Sequence, residues 1–184
     1  MLNLTNYYNQ SAKEYTPAKQ TVKPIVPHRL PRILACDDRF DRVVEILSSL
    51  IISYSQAGVV HILDLGCGDG IYEQMLDDRL LKNVIFDGLD ISRQQIKKAQ
   101  KYFRKLFCVN LDHQPIPVAN HSYDIVICSE LLEHLFFPEK TLFEARRVLK
   151  KDGKLLITIP NFAMLQNRIS VLLGRSVSIL FLTS

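Results

Sequence analysis

Three glycines, Gly66, Gly68 and Gly70, alternate through "DLGCGDG", residues 64 to 70. Glycines at this density let a backbone approach a ligand closely and take up torsions that other residues avoid. The pattern does not suit a pyrophosphate. A dinucleotide fingerprint is spaced G-x-G-x-x-G, whereas this loop is G-x-G-x-G, and Asp64 puts negative charge where a phosphate would be repelled. A cationic ligand fits better, although Asp64 is equally well read as the acceptor of a local Asx turn. Asp90 in "GLDIS" and Asp112 in "VNLDHQPIP" also follow apolar runs, so three acids recur at comparable points. Taken singly, Asp90 is also readable as a residue preceding a helix cap at Ser92, and Asp112 as a loop aspartate.

These acids need elements to bring them together, and the pattern from residue 59 onward supplies them. Short apolar runs alternate with amphipathic segments, which predicts βαβ units and a parallel sheet. "VVHILDL", "NVIFDGLD", "KLFCVNLD", "YDIVICSE" and "GKLLITIP" read as five strands. Between them, Tyr72, Met75, Leu76 and Leu80 predict one helix, and Ile96, Ala99 and Phe103 another, opened by a capping box of Ser92 and Gln95. Leu142, Ala145 and Leu149 predict a helix closed by Gly153. Upstream, Phe40, Val43, Val44, Leu47, Leu50 and Ile51 predict a helix capped by Asp37 or Asp38 and ending near Gly58. Ligands of open α/β sheets bind at the carboxyl ends of the strands, where strand order reverses. Asp64, Asp90 and Asp112 all fall there.

In the order of these motifs the chain resembles the class I S-adenosylmethionine-dependent methyltransferases, from about residue 59 to 162. "DLGCGDG" is similar to their first motif, "GLDIS" to the acidic end of their second strand, and "VNLDHQPIP" to their adenine-side segment. "YDIVICSELLEHL" and "EARRVLKKDGKLLITIPN" resemble the segments around the fourth and fifth strands. The resemblance implies a Rossmann-like parallel sheet of order 3-2-1-4-5 with flanking helices, and S-adenosylmethionine as cofactor. It implies cofactor contacts from Asp64, Gly66, Cys67, Gly68 and Gly70 in the loop, and from Asp90 and Ile91 after the second strand. Leu111, Asp112 and His113 follow the third strand, and Ser129 ends the fourth. Asp90 would bind the ribose hydroxyls. Cys67 also reads simply as a small residue in a tight loop.

The implied reaction is attack by an acceptor atom on the methyl of a sulfonium, so positioning and water exclusion dominate and a base is needed only when the nucleophile carries a proton. His134 is the first candidate for that base, with His113 and His28 behind it. "ELLEH" places Glu130, Glu133 and His134 at i, i+3 and i+4, one face of a helix. That pentapeptide is similar to small-RNA 2′-O-methyltransferases and ubiquinone-pathway O-methyltransferases, in which it is tied to a metal. It equally suits helix capping and packing, and no metal site is assigned on it.

Four of the eight prolines fall between Pro17 and Pro31, so residues 1 to 35 read as an extended arm, with Tyr7, Tyr8 and Tyr15 as a lid or as sheet packing, and residues 36 to 184 as the cofactor-binding domain. The arm carries five basic residues against one Glu, whereas residues 36 to 160 carry 16 basic and 18 acidic side chains. So modest a basic surplus reads as a solvated surface, and alternatively suits an anionic substrate or a membrane surface; the expected acceptor is a small molecule, and nucleic acid is not expected. The chain lacks the roughly 18 apolar residues of a membrane span or a signal peptide's apolar segment, which reads as cytoplasmic. Four dispersed cysteines read as buried free thiols.

In "PNFAMLQNRISVLLGR", Phe162, Leu165, Ile169, Leu172 and Leu173 form an apolar stripe. The segment is similar to methyltransferase-like proteins linked to methionine biosynthesis and to lipid- or sugar-directed relatives. After it only "SVSILFL" suits a strand, where the family places a helix and two strands. The expectation is a sheet with incomplete C-terminal strands, a shortened chain, and self-association through that edge. Two rival readings are a cofactor-binding but inactive regulatory module and a nucleotide-binding oxidoreductase. The G-x-G-x-G spacing and Asp64 speak against the second.

Overall fold

A computed structural model describes residues 38–159 and 179–183. The N-terminal arm with its tyrosines and His28, the Asp37 cap and the stripe at 162–173 lie outside the described residues. α1 (Asp38–Ser55) opens the described chain and is followed by β1 (Val60–Leu65). Two short helices, α2 (Ile71–Met75) and α3 (Asp78–Leu81), lead to β2 (Val84–Asp90). α4 (Arg93–Ala99), β3 (Lys105–Cys108), β4 (Tyr123–Ser129), α5 (Pro138–Val148) and β5 (Leu149–Ile159) complete the alternation, and β6 (Ile179–Thr183) ends it.

The strands form one sheet in the order β3-β2-β1-β4-β5-β6. The first five are parallel, as the alternation predicts, and β6 pairs with β5 antiparallel, Ile159 facing Ile179 and Leu155 facing Thr183. A strand at "SVSILFL" is therefore present, described over Ile179–Thr183. Parallel strands are covered on both faces and so are apolar on both. Ile62 of β1 packs with Val43, Leu47 and Ile51 of α1, Phe86, Ile125 and Ile127 on one face. Its neighbour Leu63 turns to the other face with Leu89, Val126, Ala145 and Val148. Beneath the sheet, buried Asp87 of β2 accepts hydrogen bonds from Arg104 Nε at 3.0 Å and from the Tyr123 hydroxyl at 2.9 Å, which pins three strands together. No helix among the described residues is long and apolar enough to cross a membrane.

Four local expectations are corrected. The single helix expected over Tyr72 to Leu80 is broken in two, because Leu76 is extended and Asp77 accepts a hydrogen bond from Arg79 N at 2.8 Å to cap a new turn. Tyr72 and Leu76 are buried but Met75 is exposed. The Ser92–Gln95 box is half formed: Ser92 Oγ caps Gln95 N at 3.4 Å, but the Ser92 N–H is held by Asp90 Oδ1 at 2.7 Å, and Gln95 Oε1 is buried without a partner. α4 stops at Ala99, so Phe103 joins the core from beyond the helix.

The fourth correction concerns Gly153, which lies within β5 rather than closing a helix; α5 ends at Val148 with Leu149 extended. The β4–β5 pairing passes from Tyr123↔Leu149 to Ile125↔Lys154, so residues 150–153 bulge. A Cβ on Gly153 would come within 3.1 Å of the carbonyl oxygens of Asp124 and Lys150, and glycine permits that backbone approach.

Leu47 is fully buried where α1 meets the sheet. Leu47→Ala is expected to destabilise the protein by about 2–5 kcal/mol through lost burial and the cavity left behind, measured by urea denaturation.

Candidate functional site

The loop after β1 turns back over the end of β2 through three left-handed glycines, Gly66 at φ 73°, Gly68 at 55° and Gly70 at 82°. A Cβ on Gly66 would sit 3.0 Å from Leu131 Cδ1, and one on Gly70 3.0 Å from Tyr102 and 3.1 Å from Phe103. Torsion and space both demand glycine at these two positions. The loop is tied to β2 at three points. The Leu89 carbonyl accepts hydrogen bonds from Gly66 N at 2.8 Å and Cys67 N at 3.0 Å, and Asp90 Oδ2 accepts one from Gly68 N at 3.0 Å. The other Asp90 oxygen takes Ser92 N. Burial raises the Asp90 carboxyl above its usual range, opposed by these backbone N–H groups.

A cleft opens where β1 and β4 diverge. It is lined by Gly66, Leu89, Asp90 and Ile91 from the β1–β2 side, by Val109 to Asp112 after β3, and by Glu130, Leu131, His134 and Leu135 after β4. Of the expected site residues, Gly66, Asp90, Ile91, Leu111, Asp112 and His134 thus meet at one cleft. Asp64, Cys67, Gly68, Gly70, His113 and Ser129 do not line it. His113 is exposed, and the Ser129 hydroxyl lies 2.5 Å from Tyr72 Oη and 2.6 Å from Thr158 Oγ1. Asp112 is 6% exposed, and its Oδ1 accepts hydrogen bonds from Phe136 N at 2.8 Å and Phe137 N at 3.1 Å, tying the β3 and β4 loops together.

"ELLEH" does not form a helix face. Leu132–His134 is a single 3-10 turn, and Glu130 precedes it with φ 50°, so the three side chains lack the α-helical spacing that a shared face requires. Glu130 Oε1 accepts a hydrogen bond from Thr158 Oγ1 at 3.0 Å. Among the described residues no group of three or more His, Cys, Asp and Glu side chains is placed to hold a metal.

Beneath the loop, Asp64 and Glu73 are each 2% exposed, and both Glu73 carboxylate oxygens are buried without a hydrogen-bond partner. Burial, with Glu73 and then Asp90 adding repulsion, holds the Asp64 carboxyl well above its ordinary range. Burial likewise pushes Glu73 up to about 7. Two carboxyls this close and this dry do not both ionise readily. Burial followed by the charge of Asp64 raises the Cys67 thiol, so it is an inert packing group. Sequence reasoning missed Glu73, since a Glu in a first helical turn reads as a solvated partner of the helix dipole. It also missed Leu89, Val109, Asn110, Leu131 and Leu135 as cleft walls; the available signal was the place of the first three at or just after strand ends. Glu130 was considered only as a metal ligand or a packing residue.

Comparison with known proteins accords with this geometry. The profile of the family described as "Methyltransferase domain" matches residues 63–157, more than half of the chain. An uncharacterized protein of Methanocaldococcus jannaschii is 34% identical over 119 residues, 65% of this chain and 49% of that protein. The ubiquinone biosynthesis O-methyltransferase of Coxiella burnetii is 31% identical over 106 residues, 55% of this chain and 44% of the enzyme. The chain spans about half the length of these curated relatives. Among solved structures, a putative sarcosine dimethylglycine methyltransferase from Galdieria sulphuraria is 26% identical with a TM-score of 0.53, covering 65% of this chain and 46% of that one. A Pyrococcus horikoshii protein is 25% identical with a TM-score of 0.53, covering 73% and 62%.

The buried acids set a pH dependence. Glu73 carries a folded-state value of about 7 against an ordinary 4.5, so the folded protein retains a proton that the unfolded chain gives up. The stability this confers is complete below the unfolded value and is lost as pH rises through about 7. Glu73→Gln, which stays neutral, is expected to match the parent near the acid end of that window and to exceed it by about 1–3 kcal/mol above it. Urea denaturation at either end of the window measures the difference.

Proposed function

Because the chain belongs to the methyltransferase-domain family, whose cofactor is S-adenosylmethionine, we propose that it transfers the cofactor's methyl group to a small-molecule acceptor. The observation that carries this reading is Asp90, a cleft-lining carboxylate held on both oxygens by the N–H groups of Gly68 and Ser92. A carboxylate offers about four acceptor positions, so two remain for a ribose diol after the loop is anchored. The donor set also fits the group chemically. The cleft has carboxylates at Asp90, Asp112 and Glu130 and apolar walls at Leu89, Val109, Leu111, Leu131 and Leu135. That combination suits a cation joined to a flat heterocycle.

When bound, the cofactor supplies an electrophilic methyl on a positively charged sulfur. The protein's own residues bind, orient and exclude water. Asp90 would hold the ribose, Ile91 and Leu111 the adenine with Asp112 beside it, and Gly66 would admit close approach of the remainder. Asp64, Cys67, Gly68, Gly70 and Ser129 support the loop and the strand ends from behind. His134, on the 3-10 turn at the cleft's exposed end, is assigned to hold the proton released by an acceptor hydroxyl or amine. A small molecule is favoured over a nucleic acid because residues 36 to 160 carry 18 acidic against 16 basic side chains, which offers no electrostatic footprint for phosphates.

Calorimetric titration with S-adenosylmethionine tests the reading. The parent protein is expected to bind, and Asp90→Ala to lose about 2–4 kcal/mol of binding through two charge-assisted hydrogen bonds. Unchanged affinity in that variant defeats the assignment. Incubation of a metabolite extract with methyl-labelled cofactor is expected to place label in small molecules and not in RNA. His134→Ala is expected to slow that transfer by about 10²–10⁴-fold while cofactor affinity stays within experimental error.

A further inference from the structure

A continuous chain of hydrogen bonds runs from the helix behind the glycine loop to the cleft wall. The Tyr72 hydroxyl on α2 lies 2.5 Å from Ser129 Oγ, and Ser129 Oγ lies 2.6 Å from Thr158 Oγ1. Thr158 Oγ1 donates to Glu130 Oε1 at 3.0 Å. A carboxylate only accepts, so this last bond orients the others: Thr158 donates to Glu130, Ser129 to Thr158, and Tyr72 to Ser129. Thr158 is 3% exposed and stands in register with Ser129 across β4 and β5, so the chain is set in the sheet itself.

Glu130 pays a conformational cost to sit at its end. Its φ of 50° lies in the left-handed region that non-glycine residues rarely adopt. The turn is held because Glu130 N donates to both Thr158 O and Thr158 Oγ1, each at 3.1 Å. A strained backbone and a buried hydroxyl chain thus converge on one carboxylate at the cleft wall, a combination that belongs to functional sites. The roles assigned above to Asp90 and His134 leave it unused.

We propose that Glu130, anchored by Thr158, makes the cleft discriminate between the positively charged methyl donor and the neutral thioether left after transfer. The inference rests on the reading that the cleft binds S-adenosylmethionine with its ribose at Asp90. The cofactor's sulfur is one carbon from the ribose ring, and the cleft that Asp90 lines is also walled by Gly66, Glu130 and Leu131. A carboxylate held at that wall attracts a sulfonium through a Coulomb term that disappears once the sulfur is neutral. The ribose, adenine and amino-acid contacts are common to both molecules, so Glu130 weights the difference between them and favours product release.

The test is calorimetric titration of the full chain with S-adenosylmethionine and with S-adenosylhomocysteine. Glu130→Gln is expected to weaken binding of the donor about 5- to 20-fold and to leave the thioether within about twofold. Thr158→Val, which removes the anchor from behind the cleft, is expected to lower the same ratio by a smaller factor, and Thr158→Ser to restore it. In the parent protein the donor-to-thioether ratio is expected to fall as salt is raised. That measurement and the Thr158 pair keep the test decisive should Glu130→Gln fail to fold. A parallel loss for both ligands in Glu130→Gln, or a salt-independent ratio in the parent, overturns the proposal and leaves Glu130 a structural turn. A parent protein that binds neither ligand refutes the cofactor reading instead.

Discussion

The site depends on the end of β2 capturing the loop that leaves β1. A chain turning back over its neighbouring strand exposes backbone N–H groups at the turn, and these need acceptors. The Leu89 carbonyl takes two of them and the Asp90 carboxylate a third. Left-handed torsions at Gly66, Gly68 and Gly70 make the path possible, and the hydrogen bonds to β2 make it the one adopted. Asp90 therefore has two duties, since the carboxylate that shapes the loop also faces the cleft. Strand order adds the space: β1 leads to β2 on one side and lies beside β4 on the other, so the loops diverge and leave a crevice between them.

Under this loop the structure keeps two acids away from water. Asp64 and Glu73 are both 2% exposed, and Glu73 has no hydrogen-bond partner for either oxygen. Desolvation outweighs every other influence on both groups, so each retains its proton to higher pH than a solvated carboxyl. Asp90, Asp112 and Glu130 line the cleft, and Asp64 does not. The acid that makes the motif recognisable is thus buried, and the cleft-lining acids end β2 or follow β3 and β4.

The opposite wall is fixed by side-chain hydrogen bonds. The Asp112 carboxylate accepts from Phe136 N and Phe137 N, so a loop after β3 fixes a loop after β4. The Glu130 carboxylate accepts from the Thr158 hydroxyl of β5, while Glu130 N donates to Thr158 O and Thr158 Oγ1. These bonds hold cleft residues in fixed positions where regular pairing ends.

Periodicity was sufficient for the five parallel strands, because burial on both faces makes β1 and β4 largely apolar, while the order of the sheet followed from the family resemblance of the motifs. Asp90 was legible for the same reason, as an acid ending an apolar run. What the sequence could not convey was which side chains turn toward the cleft. Asp64 pairs in register with Gly88, two residues before Asp90 ends β2, and of the two acids it is Asp90 that lines the cleft. Glu130, Glu133 and His134 have helical spacing, but the next α-helix begins only at Pro138, and the preceding turn bends left-handed to reach Thr158. Ser129 and Thr158 are 29 residues apart in the chain and meet only because β4 and β5 pair in that register. Local pattern determined the elements, and contacts between distant strands decided which polar groups were spent on the fold and which were left for a ligand.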